Sequence, residues 1–175
     1  RIAAAREAIG DDMLGVGEAP LGIPWLEAIC GCRVLVPEGK SLWPEATEQT
    51  VAGQDINVCA DNPWLRALLN VQQAVVAHAA GRYAVSMSHL RGPTDVLVAM
   101  LGSERFLTLL YDDPERIERM ALHVASVWLR VAQAQAEVVP AFRAGYGIRQ
   151  FGLWSPQRST WLQDDASSMM SRRHY

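Results

Sequence analysis

Apolar residues recur three and four positions apart in several stretches of the chain, with short continuous apolar runs between them. In residues 65–79, Leu65, Leu68, Leu69, Val75, Val76 and Ala79 share one face at helical spacing. Asp61 or Asn62 stands where a cap is needed, Pro63 falls in the first turn, and Gly81 is placed to end the helix. The longest periodic run follows Asp112 and Asp113, again with a proline, Pro114, in its first turn. Its apolar face holds Ile117, Met120, Ala121, Val124, Trp128 and Val131. Arg116, Arg119, His123, Arg130 and Glu137 fall on the other face, and Pro140 stops the run. Residues 94–101 predict a further helix, Gly102 a break, and Ser103 with Glu104 a new start. Residues 25–30 predict a short helix between Pro24 and Gly31.

The strand candidates are residues 32–36, 82–88, 148–153 and 160–163, the last two separated by a Ser155-Pro156 turn. An alanine-rich short helix is expected over residues 1–13. The glycines and prolines from Gly10 to Pro24 read as a loop, and residues 37–61 as a polar, irregular segment anchored by Trp43. Strands alternating with amphipathic helices imply βα units and a mostly parallel sheet of three to five strands. A closed eight-stranded barrel of this kind needs about 250 residues. The expectation is therefore a single α/β domain over residues 1–175, an incomplete (β/α)8 barrel with a loop-rich lead-in over 1–24, or else a smaller open sheet.

Composition narrows the classes. The chain has 175 residues, half of them apolar and a fifth charged, as in an ordinary globular domain. A net charge of −3 without a basic block speaks against nucleic acid. No apolar run approaches the ~20 residues of a membrane span, and no signal peptide is visible. Three cysteines, an odd number, point to a reducing, cytoplasmic setting rather than a disulfide framework. Arg1 rather than methionine opens the chain, and Tyr175 closes it soon after a new helix begins, so both ends read as cut.

The candidate chemistry sits where strands end. Asp164 and Asp165 follow the strand at 160–163, and a carboxylate there points into the mouth of a barrel. As a pair they suit a raised pKa and proton storage; the plainer reading is one helix cap and one solvated charge. His89, Arg91 and Asp95 follow the strand at 82–88. His89 suits proton movement and Arg91 bidentate carboxylate binding; Asp95 alternatively serves the dipole of the next helix. Trp154, Trp161, Gln150 and Tyr146 lie near the last strands and suit a flat ligand, or else a core. His78 and His123 fall on outer helix faces. Cys30-Gly-Cys32 invites a zinc reading, but zinc needs three or four ligands, and neither a histidine nor a second cysteine pair lies at ligand spacing; Cys59 stands alone. No phosphate-binding glycine pattern, serine triad, or pyridoxal phosphate or nucleotide motif is present.

Two stretches carry a family resemblance. LRGPTDVLVAMLGSERFLTLLYDDPERIERM, beginning at Leu90, runs from a strand through a Gly-Pro turn to a helix, and later to an Asp113-Pro114-Glu115 helix start. WLQDDASSMMS, beginning at Trp161, ends a strand in Asp165-Ala166-Ser167, with Ser171 beyond. With Gly22-Ile23-Pro24-Trp25-Leu26-Glu27-Ala28 upstream, the ordered set resembles the uroporphyrinogen decarboxylase family, whose superfamily includes corrinoid-linked methyltransferases. The resemblance covers residues 20–175.

What it implies is a barrel enzyme acting on a small molecule, a tetrapyrrole or a corrinoid-linked methyl donor, with no nucleic acid or membrane partner and a homodimer as one expected assembly. The first reading is cofactor-independent loss of carbon dioxide from porphyrinogen acetate side chains in tetrapyrrole biosynthesis. Asp165, Asp164 and His89 would be the catalytic residues, with Arg91, Asp95, Trp154 and Ser167 binding substrate. The alternative is methyl transfer from a corrinoid to a thiol with zinc, whose ligands in that branch lie in the second half of the barrel. A non-catalytic barrel is the third reading. The decarboxylases' arginine-rich N-terminal segment and early-strand aspartate have no counterpart here, and Ala99 aligns with their tyrosine.

The isolated Cys-Gly-Cys pair generates a first prediction. Elemental analysis of the purified chain is expected to find no stoichiometric zinc. Stoichiometric zinc that disappears when Cys30 and Cys32 are both replaced by serine would contradict it.

Overall fold

A computed structural model of the chain describes residues 9–10, 14–20, 22–38, 41–52 and 61–172. Of the helix expected over 1–13 only Ile9 and Gly10 are described, and Cys59 lies outside the described residues. The chain is a mixed α/β structure. In order it forms β1 (Val16–Gly17), α1 (Trp25–Ile29), β2 (Arg33–Leu35), β3 (Trp43–Glu45), α2 (Glu48–Ala52), α3 (Pro63–Ala79) and β4 (Ala84–Val85). There follow β5 (Leu90–Arg91), α4 (Pro93–Leu101), α5 (Ser103–Asp112), α6 (Pro114–Val138), β6 (Tyr146–Ile148), β7 (Leu153–Ser155) and β8 (Leu162–Gln163). Single 3-10 turns occupy Arg149–Phe151 and Asp165–Met169.

The helices start where the capping residues stand. The Asn62 side-chain oxygen accepts from the backbone N–H groups of Trp64 (3.0 Å) and Leu65 (3.1 Å), satisfying donors that the first turn leaves open. Asp113 does the same for Arg116 at 3.1 Å, ahead of Pro114. The third helix ends on Ala80 in the left-handed region, with Gly81 beyond it.

One face of α6 buries Ile117, Val124, Val127 and Val131 in a core shared with Leu26 and Ile29 of α1, Leu65 and Leu68 of α3, Val96, Leu97 and Met100 of α4, and Phe106 and Leu110 of α5. Met120, Ala121 and Trp128, expected on that face, pack at its margin, and Val127 takes a central place. Burying that much apolar surface is the main term holding the helices together. Inside this layer two glutamines meet. Gln72 Nε2 donates to Gln135 Oε1 (2.8 Å), and the same oxygen accepts from the Ser88 N–H at 2.7 Å. The loop after β4 is thereby tied to two helices.

The strands depart from the single parallel sheet that the alternation implies. Among the described residues they form four two-stranded sheets. Two pairs are parallel: β1 with β4, Val16 opposite Ala84, and β5 with β8, Leu90 opposite Leu162 and Arg91 opposite Gln163. Two are antiparallel: β2 with β3, and β6 with β7. The strand expected over 82–88 pairs at two residues only. The strand expected over 148–153 is instead a hairpin, because Gly152, at φ 60°, turns the chain back after Arg149–Phe151. Strand β3 lies in the segment expected to be irregular, and Trp43, its expected anchor, is exposed. Strand β1 lies in the stretch read as a loop. There Gly17 acts by its missing side chain: a Cβ would stand 2.8 Å from the Tyr83 ring and 3.2 Å from a Val75 methyl. The glycine that suggests a loop is what lets β1 approach β4.

The turns after β5 and β8 lock each other. Asp164 Oδ1 accepts from the Thr94 hydroxyl (2.6 Å) and from the Asp95 N–H (3.0 Å), so it caps α4 from across the structure. Asp95 Oδ1 in return accepts from the Ala166 N–H at 2.7 Å. Gly92 leaves room for this, since a Cβ there would overlap the Asp164 carboxyl group. Loss of a capping acceptor costs about 1–2 kcal/mol. Asp164→Ala is expected to lower unfolding free energy in urea by about that much, Asp164→Asn by less because its amide oxygen still accepts, and Gly92→Ala at least as much as Asp164→Ala. Unchanged midpoints for Asp164→Ala and Gly92→Ala would show that the lock contributes nothing.

Candidate functional site

The turn locked in this way borders a cleft of about 260 Å³. Ile23, Pro24, Trp25 and Glu27 line it from the α1 side, His89 and Arg91 from β5 and the residue before it, and Gln150, Trp161 and Gln163 from the hairpin and β8. Every residue of α1 is buried. Its short length and apolar neighbours therefore carry Glu27 below the surface with them, leaving 1% of its side chain exposed.

Glu27 Oε1 lies 3.3 Å from Arg91 Nη1. The contact is an ion pair without the alignment of a hydrogen bond, and neither carboxylate oxygen has a hydrogen-bond partner among the described residues. Burial raises the Glu27 carboxyl above its ordinary range; its own backbone N–H and Arg91 pull it down, and Asp95 adds to the rise. A second buried glutamate stands behind. Glu18, just after β1, accepts from the His89 N–H at 3.0 Å through Oε1, while Oε2 lies 3.8 Å from Arg149 Nη1. Burial raises Glu18 as well, against the His89 bond and Arg149.

The His89 ring stacks on Trp161, centroids 3.9 Å apart and planes at 11°, and Phe151 meets the other partner edge-on at 5.7 Å. Burial lowers the imidazole pKa and Arg91 lowers it further, while Asp165 acts in the opposite sense. The balance favours the neutral ring. His89 Nε2 and the indole N–H groups of Trp25 and Trp161 are buried without a hydrogen-bond partner among the described residues. Each of these atoms is shut off from water, so a polar group that the cleft offers directly is the half-exposed Arg91 guanidinium.

The sequence-expected residues are divided between the cleft and other parts of the structure. His89 and Arg91 line the cleft, as do Trp161 and Gln150. Asp165 is exposed and reaches the rim through Gln163, whose amide N–H donates to it. Asp164 and Asp95 are held in the reciprocal lock, and the Ser167 hydroxyl donates to the Asp164 carbonyl at 2.6 Å. Trp154 stands exposed in the hairpin, its indole N–H donating to the Phe142 carbonyl at 3.3 Å, apart from the cleft lining. Tyr146 is in the same hairpin and accepts from Arg158 at 3.2 Å. His78 is exposed with its ring tilted against Tyr83. Sequence reasoning missed both glutamates. The signal for Glu27 was available: one carboxylate in WLEAIC, an otherwise apolar run.

Among the described residues zinc finds no set of ligands. Among the described residues no three of His, Cys, Asp or Glu come together as a metal site. Cys30 and Cys32 are buried free thiols. Burial pushes the Cys32 thiol up to about 12 and Cys30 higher still, whereas a zinc ligand must be a thiolate.

No family model matches the chain, and no curated protein does. Among solved structures it is similar to a methyltransferase from Methanosarcina mazei, with a TM-score of 0.61 and 12% identity over 98% of this chain. The match covers 49% of that protein, so the chain spans about half its length. The likeness is one of fold. Among the described residues, no helix is long and apolar enough to cross a membrane.

The buried glutamate sets a pH dependence. A carboxyl whose pKa folding raises contributes stability below its ordinary value of 4.5 and loses it as the pH rises through the folded value. Above the folded value the ionised, desolvated Glu27 is therefore a cost that Glu27→Gln removes, while the half-exposed Arg91 can be hydrated. Urea titrations are expected to find Glu27→Gln at least as stable as wild type at pH 7.5, with its advantage shrinking towards pH 5. His89 works in the opposite sense in both proteins, losing its contribution as the pH falls through its lowered value. A Glu27→Gln variant weaker at pH 7.5 by ~3 kcal/mol would make the Glu27–Arg91 pair a net stabiliser instead.

Proposed function

We propose that the chain is a partial (β/α)8 barrel of the uroporphyrinogen decarboxylase superfamily and that its cleft is the small-molecule site of a methyltransferase, transferring a methyl group from a corrinoid to a thiol. The observation that carries this reading is the charge of the cleft. Its arginine, Arg91, is neutralised by Glu27, and Arg149 beside it by Glu18. A porphyrinogen with several carboxylates calls for a surplus of cations, which these pairs do not leave. Methyl transfer to a thiol calls for a proton acceptor and an oriented nucleophile, not for a cationic wall. Likeness in fold to a methyltransferase supports the same choice.

A methylcorrinoid, when bound, would supply an electrophilic methyl group for the thiol sulfur to accept. The thiol proton must leave. His89, whose burial favours the neutral ring, takes it. Trp161 holds the imidazole plane, the Glu18 carboxylate holds the His89 backbone, and Glu27 with Arg91 orients the thiol's polar end.

The test is an assay of the full protein with methylcobalamin and small thiols, following thioether by mass spectrometry, beside a parallel assay of carbon dioxide release from uroporphyrinogen. Thioether formation is expected, and His89→Ala should lower its kcat by about 100-fold or more. Carbon dioxide without thioether would return the chain to the decarboxylase reading. Neither product would leave a non-catalytic barrel.

A further inference from the structure

The guanidinium of Arg91 has one closed side and one open side. On the closed side stands Glu27, with Oε1 3.3 Å from Nη1 and both carboxylate oxygens out of reach of solvent. On the open side lies the cleft, which Arg91 lines with a side chain that is 41% exposed. Arg91 stands opposite Gln163 across β5 and β8, so the two side chains leave neighbouring strands at the same level, and both line the cleft. Gln163 gives one amide N–H to Asp165 and keeps a second. What the cleft offers a ligand directly is therefore a set of donors, guanidinium N–H groups beside an amide. Donors around a single positive charge fit a small carboxylate.

An anion bound there conflicts with the glutamate behind it. Two negative charges then share one arginine, and Glu27 is the one that water does not reach. The other groups around Glu27 give no relief. From β5 comes Arg91 itself, with His89 just before that strand, and from α4 comes Asp95, a second carboxylate. Cys30 and Cys32, just beyond its own helix, are buried thiols. The third neighbour, α3, adds Trp64, Leu65 and Leu68 to the shared core, while its Arg66 is exposed. Burial already holds the Glu27 carboxyl above its ordinary range, and an anion on Arg91 moves it further the same way. A proton on Glu27 removes the conflict, and anion and proton together bring no net charge into the cleft. Because the anion-bound protein holds that proton more firmly than the free protein, affinity falls as the pH rises between the two values.

We propose that the cleft binds one small monocarboxylate on the open side of Arg91, and that Glu27 takes up a proton from the solvent as it binds. The proposal rests on the reading of this cleft as the small-molecule site, and not on methyl transfer. Trifluoroacetate is the probe, because it stays ionised throughout and its fluorine resonance reports binding directly. Fluorine NMR titrations of the full chain at pH 5.5 and pH 7.5 test the proposal. A Kd of about 1 mM is expected at pH 5.5, weaker by about tenfold or more at pH 7.5. Trifluoroethanol, uncharged and of similar size, should show no saturable binding. Arg91→Ala should weaken trifluoroacetate by about tenfold or more at pH 5.5. Glu27→Gln should bind it about tenfold tighter than wild type at pH 7.5 and lose the pH dependence. Equal wild-type affinity at the two pH values overturns the proposal, and so does a pH dependence kept by Glu27→Gln. Absence of saturable trifluoroacetate binding, or Arg91→Ala binding like wild type, overturns it as well. If either variant fails to fold, infrared difference spectra of the wild-type chain decide: a protonated-carboxyl band gained on saturation supports the proposal, and its absence overturns it. Proton-linked binding without thioether in the methyl-transfer assay would remove the reaction and keep the ligand class. Thioether formation without trifluoroacetate binding would do the reverse.

Discussion

Asp95 and Asp164 stand 69 positions apart, and each accepts from the other's turn. That exchange is the constraint on which the cleft depends. Strands β5 and β8 pair over two residues each, too few to hold a mouth in place by ladder hydrogen bonds. The carboxylates supply the missing constraint by capping the elements that follow each strand. Arg91 precedes one cap and Gln163 the other, so both cleft side chains are carried by backbone that the lock immobilises. The neighbouring aspartates are placed differently: Asp164 spends Oδ1 on capping α4, while Asp165 is exposed beside Gln163 and raises the His89 pKa.

The electrostatics of the cleft run against folding. Two glutamates are taken out of water, and each is compensated by one partly exposed arginine at more than 3 Å rather than by a close, aligned pair. Buried ion pairs of that kind are weak evidence for stability. The oxygens of Glu27, Nε2 of His89 and the two indole N–H groups are closed to solvent and unpartnered among the described residues, a cost that the apolar core has to offset. The stacking of His89 on Trp161 adds rigidity: an imidazole pinned to an indole face presents its free nitrogen in one direction.

Fold likeness and site chemistry bear on different parts of the reading. The likeness extends over nearly the whole chain at an identity of 12%, which speaks to architecture. The choice between methyl transfer and decarboxylation turns instead on charge: a cleft whose arginines are already paired suits a ligand without net charge better than one with many carboxylates.

The sequence by itself determined the helices. Periodicity located α3, α4, α5 and α6, and Asn62-Pro63 and Asp113-Pro114 marked two starts to the residue, because capping and helical amphipathicity are written in neighbours a few positions apart. It also placed His89 and Arg91 beside a strand end, where both line the cleft, since residues next to a strand end are local to it. Only the tertiary structure decided the rest. Strands two or three residues long carry no readable period, so β1, β3 and the β6–β7 hairpin were invisible or misread. Whether Gly17 meant a loop or a close approach depended on Tyr83, and whether Asp164 meant catalysis or capping depended on Thr94 and Asp95. Glu27 was one acid among nineteen until folding buried it beside Arg91. Burial and pairing across the chain are sums over residues that sequence order keeps apart, and they are what turned an ordinary glutamate into the centre of the cleft.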